Sequence, residues 1–135
     1  MLKDPAPPST MAGLEVVPEN VTDQIAQVDN QYLAATALYS VRQDNKAVAT
    51  LQISRFNKHA RLDEEEFREG FVTNLGGQRG VPIRVGDQDV KFTQGNLQRI
   101  SVWFRDELVF VLTTRDDFDR PRTLLREAVD IGDAS

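Results

Sequence analysis

Two neighbouring runs, Leu97–Phe104 and Leu108–Thr114, are apolar on both of their alternating faces, and this constrains the fold more than any other feature of the chain. In the first run Ile100, Val102 and Phe104 share one face, while Leu97 and Trp103 share the other. In the second, Leu108, Phe110 and Leu112 oppose Val109 and Val111. A strand with one wet side alternates apolar with polar residues. These two strands therefore need cover above and below, either from helices of the same chain or from a partner or ligand. Arg105-Asp106-Glu107 joins them without a glycine. A type I′ turn centred on Asp106-Glu107 would be costly, so a longer loop is expected.

The remaining pattern supplies candidate cover. Phe67, Phe71, Val72 and Leu75 fall at helical spacing, which predicts a helix over Asp63–Leu75 stopped by Gly76-Gly77. Leu124, Leu125, Ala128 and Val129 predict a second helix over Asp119–Ile131, with Asp119 as its cap and Pro121 in the first turn. Between the helices, Pro82–Val85 and Gln88–Thr93 read as strands around Gly86-Asp87, and Gln94-Gly95-Asn96 turns the chain into Leu97–Phe104. Leu33–Arg42 and Ala47–Phe56 read as a hairpin around Gln43-Asp44-Asn45-Lys46. Its second strand alternates Ala49, Leu51 and Ile53 with Thr50, Gln52 and Ser54.

Gly13–Val17 reads as a short strand, and Val21, Ile25 and Val28 give a weak helical pattern after Pro18. The order is hairpin, helix, four-stranded meander and C-terminal helix. Short connections make the class α+β, with a mostly antiparallel sheet of about six strands. Residues 1–12, with Pro5, Pro7 and Pro8, read as a flexible linker, and residues 13–135 as a single α+β domain. A tether to a membrane anchor or another domain would suit such a linker. That favours an extracytoplasmic location, with the cytoplasm as the alternative.

Composition removes several chemistries. The absence of cysteine excludes disulfides, zinc–thiolate sites, iron–sulfur clusters and cysteine nucleophiles. His59 is the only histidine, so a mechanism needing two is excluded, and it lies in a basic connector with no carboxylate to orient it. A net charge of −5 argues against nucleic acid as a partner. No apolar run approaches the roughly 18–20 residues that cross a bilayer, so no membrane insertion is expected.

The acidic runs have structural explanations. Asp63-Glu64-Glu65-Glu66 points in different directions around a helix start and suits its dipole rather than one cation. Asp116-Asp117-Phe118-Asp119 lacks the glycine and glutamate of a calcium loop. Gly76-Gly77-Gln78-Arg79-Gly80 leaves a helix and enters a strand, the wrong polarity for a phosphate cradle. No metal site and no cofactor is expected, and no catalytic group stands out.

No family motif is present. The order of elements, with a C-terminal hairpin ending in a helix, resembles in architecture the small antiparallel α+β accessory domains of the PsbP/Mog1-like group. That likeness carries no shared signature, and fold does not imply function.

Two functions are compatible with this reading. The first is a non-catalytic interaction or accessory domain, tethered through its linker, that binds a protein partner or self-associates. The second is a small-ligand-binding or enzymatic cup with a pocket between sheet and helices. The candidate binding residues are Tyr39, Arg79, Arg84, Arg99 and Trp103. Arg79, Arg84 and Arg99, with Lys91, could form a basic patch.

Overall fold

The computed structural model describes residues 7–19, 33–57, 64–76, 80–95 and 97–131. Among them, eight strands form: β1 (Thr10–Met11), β2 (Leu14–Glu19), β3 (Leu33–Gln43), β4 (Lys46–Phe56), β5 (Val81–Val85), β6 (Gln88–Gln94), β7 (Gln98–Arg105) and β8 (Leu108–Arg115). Helix α1 (Glu65–Gly76) lies between β4 and β5, and α2 (Pro121–Val129) follows β8. The strands make one antiparallel sheet in the order β1-β2-β3-β4-β8-β7-β6-β5. The class is α+β as expected, but the sheet has eight strands rather than about six.

The difference begins at the N-terminal end. Ala12 and Gly13 take left-handed φ values of 52° and 77°, which lets Thr10 and Met11 fold back and pair with Glu15 and Leu14. Met11 is only 1% exposed. Thr10 and Met11, grouped on sequence with the linker, are thus strand residues, and Met11 and Ala12 are buried. Pro18 lies within β2, opposite Tyr39, rather than at a helix start. The helical pattern through Val21, Ile25 and Val28 lies outside the described residues, as do His59 and Arg79.

The central hairpin is covered on both faces. On one face, Ile100, Val102, Val109 and Val111 pack with Phe56, Phe71 and Val72 from β4 and α1. Phe56 anchors this side, with Phe67 and Phe71 edge-on at 5.8 and 5.4 Å and Phe104 stacked at 6.2 Å. On the other face, Trp103, Leu108, Phe110 and Leu112 meet Leu124, Leu125, Ala128 and Val129 of α2. Trp103 and Phe110 are cross-strand partners, their rings 5.3 Å apart and nearly parallel at 2°. The sheet curls around α2, which touches both of its outermost strands, β1 and β5, as well as β8.

Local turn chemistry departs from expectation in three places. Arg105 pairs directly with Leu108, so the β7–β8 turn is tight, and Asp106 alone bears the left-handed conformation at 54°. The turn is held from outside: the Phe56 N–H donates to the Glu107 carbonyl at 2.8 Å, and Arg55 pairs with Glu107 at 3.2 Å. The cap of α2 is Arg120, not Asp119, and no side chain hydrogen-bonds there. Pro121 opens the helix and forces its predecessor out of helical geometry. Arg120 instead donates to the Ala12 carbonyl at 3.0 Å, clamping the β1–β2 turn to the helix start. Finally, Leu97 precedes β7 rather than lying on its buried face, because the Gly95 N–H bonds the Gln98 carbonyl and closes the turn there.

Candidate functional site

The face that buries Trp103 does not fill evenly. Along β7 the residues on this face are Arg99, Ser101 and Trp103, and along β8 they are Thr114, Leu112 and Phe110. Trp103 and Phe110 share a core with the buried residues of α2. Toward the start of β7 the side chains of this face become polar, with Ser101 and Arg99 opposite Leu112 and Thr114. The result is a cleft of about 370 Å³ between the first turns of α2 and strands β5 to β8. Ile83, Phe92, Leu112, Pro121 and Leu125 make its apolar wall, and Arg99, Ser101, Thr114 and Arg122 its polar groups. This volume lies within the usual range of small-molecule sites, about 300–1,000 Å³.

Arg99 is the distinctive member. One terminal nitrogen, Nη2, lies 3.6 Å from the Asp116 carboxylate at the cleft rim. The other, Nη1, is buried and has no hydrogen-bond partner among the described residues. A buried guanidinium nitrogen without an acceptor is costly, because it has exchanged water for nothing. Asp116 is itself fixed by two further contacts: its carboxylate accepts from Gln94 Nε2 at 3.1 Å, and its N–H donates to the Leu97 carbonyl at 3.0 Å. Ser101 and Thr114 are buried, with 5% and 4% exposure. Arg122 is exposed and makes no ion pair among the described residues.

Of the described residues singled out on sequence as binding candidates, only Arg99 lines this cleft. Trp103 lies four residues further along the same strand, fully buried, and its indole nitrogen has no partner among the described residues. Tyr39 is half-buried on the same face, but on β3, separated by β4 from the cleft's β8 wall. Arg84 lies on the opposite face, exposed and paired with Asp89 at 3.1 Å. Lys91 is opposite Val102 and shares that far face. Arg84, Lys91 and Arg99 therefore do not form one patch.

Ser101, Thr114 and Arg122 escaped the sequence reading. For the first two there is a signal: each is a small polar residue at a buried alternating position between a charged residue and a large apolar one.

Two other concavities are less suited to a small ligand. One, of about 480 Å³ on the α1 face, mixes Glu65, Arg68, Asp89 and Lys91, so charges of both signs already face one another. The other, about 370 Å³ near the β3–β4 turn, is rimmed by Asp44, Lys46, Arg115, Asp117 and Asp119, and Arg115 and Asp117 are paired there by two bonds of 3.0 and 3.1 Å. The acidic residues of α1's first turn, Glu65 and Glu66, are exposed. No described helix is long and apolar enough to cross a membrane. No family model, curated protein or solved structure matches the chain.

Proposed function

We propose that this protein is a non-catalytic small-molecule-binding domain whose site is the cleft under the first turns of α2. The observation that carries the reading is a mostly apolar concavity into which a few polar residues converge, Arg99 among them. Such a combination is the usual form of a ligand site, with apolar walls for affinity and a few polar groups for orientation. No carboxylate or histidine is among the described residues that line the cleft, so Ser101 has no neighbouring base to activate it. The doubly apolar hairpin was the strongest sequence argument for a protein partner. Both its faces are covered by the chain's own helices, which favours a self-contained binding domain over a docking module.

Thermal denaturation in the presence of small amphiphiles with anionic, neutral and cationic heads tests this. A ligand of the cleft raises the melting temperature, by about 2.7 kcal/mol of stability at a hundredfold excess over its dissociation constant. Ser101→Leu, which projects an apolar side chain into the cleft, abolishes the shift. If no class stabilises the protein, or if the cleft-filling variant responds like the original, the reading is wrong.

A further inference from the structure

Resting on that reading of the cleft, we infer that its ligand is an amphiphile with a single carboxylate head, held by Arg99 at the mouth, and an apolar tail directed along β6–β8. Arg99 and Thr114 are register partners at the outer end of β7 and β8, and Ser101 and Leu112 form the next pair inward. Polar character is thus concentrated at the mouth, while Phe92, opposite Ser101, and Ile83 continue the apolar wall across β6 and β5.

The head is an anion because its strongest available partner is the Arg99 guanidinium, whose side chain is 31% exposed at the mouth and, among the described residues, offset only by Asp116 at 3.6 Å. Arg122, exposed on the facing first turn of α2, adds a second positive charge. A carboxylate suits a guanidinium because its two oxygens match the fork of N–H groups. The hydroxyls of Ser101 and Thr114 can donate to the same oxygens.

The head carries one charge rather than two. Asp116 stands 3.6 Å from Arg99 and has already used part of its charge. The chain as a whole carries −5. A doubly charged head such as a phosphate monoester meets this field at greater cost than a carboxylate does. The tail is apolar because nothing beyond Ser101 on the lining offers it a hydrogen bond from a side chain. Leu97 adds an apolar group outside: it is 75% exposed and bonded through its carbonyl to Asp116 at the rim. Val81, 59% exposed, lies at the same end of the sheet, opposite Phe92.

The test is calorimetric titration of the full chain with octanoate, 1-octanol, octylammonium and octyl phosphate, which share a tail and differ in the head, paired with amide chemical shifts of the cleft residues. Octanoate is expected to bind about tenfold or more tighter than octanol, the scale of a charge-assisted hydrogen bond. Octylammonium is expected to bind weakest, and octyl phosphate more weakly than octanoate. Arg99→Met should bring octanoate down to the affinity of octanol and leave octanol unchanged, whereas Arg99→Lys retains part of the preference. Equal binding of octanoate and octanol by the original protein overturns the head-group assignment while leaving the cleft as a site. Tighter binding of octyl phosphate overturns the carboxylate in favour of a phosphate. If none of the four moves the cleft resonances, the cleft reading itself fails.

Discussion

The Asp116 carboxylate stands 3.6 Å from one terminal nitrogen of Arg99, while the other nitrogen is buried without a partner among the described residues. Arg99 is therefore half neutralised, and the rim carboxylate competes with any anion for it. Replacing Asp116 with Asn removes the competing charge but keeps the oxygen that accepts from Gln94 Nε2. Octanoate affinity should rise roughly two- to fivefold, since an exposed ion pair is worth up to about 1 kcal/mol. Calorimetry at low and moderate salt checks this. An unchanged or lower affinity would mean that Asp116 does not oppose the ligand.

Trp103 is the only tryptophan and is fully buried against Phe110, so its fluorescence reports the core beneath α2 directly. Its emission should be blue-shifted and insensitive to iodide, and both properties should vanish in one step on unfolding. Truncation to Ala should cost about 3–5 kcal/mol in urea denaturation, the usual range for a large buried aromatic. A quenchable tryptophan in the folded protein would show that this face is open.

Gly80 precedes β5 and runs close under α1. A Cβ there would lie 2.8 Å from Val72 Cγ1 and 3.0 Å from Lys91 Cβ. Gly80→Ala should therefore destabilise by about 1–3 kcal/mol through overpacking, despite the entropy that alanine removes from the unfolded chain. Equilibrium denaturation decides the sign.

Glu19 accepts from Arg42 at 3.2 Å, and its carboxyl is held below the ordinary value of 4.5, first by its hydrogen bond with Ser40 and then by Arg42. A carboxylate with a depressed folded pKa stabilises the fold fully above its unfolded pKa. That contribution is lost as the pH falls below about 4.5 and through the lower folded value. Glu19→Gln should accordingly flatten the dependence of stability on pH below that point. An acid limb of unchanged slope would show that Glu19 is not held by these partners.

Alternation along each strand made the architecture readable. The division of Leu97–Thr114 into two apolar faces separated the residues that meet one helix from those that meet the other, without saying which helix takes which face. The cleft was harder to see, because strand alternation says which residues of one strand share a face but not how faces correspond between strands. That correspondence is set by register. Arg84, Lys91 and Arg99 look like neighbours on paper, yet the pairing of Arg84 with Asp89 and of Lys91 with Val102 puts the first two on the far face from Arg99. Leu97 misled for a related reason: a single backbone bond from Gly95 to Gln98 closes the turn there, and the strand starts one residue later. β1 was invisible because two residues carry no periodicity, and only the left-handed turn at Ala12-Gly13 makes them a strand.

The most direct test of the ligand cleft is amide chemical-shift mapping of the full chain titrated with octanoate. The expected result is saturable movement confined to Arg99, Ser101, Thr114, Arg122 and Leu125 around the cleft, with Phe56, Phe67 and Phe71 on the α1 face unmoved. Movement centred on the α1 face, or none at any concentration below micelle formation, would contradict it.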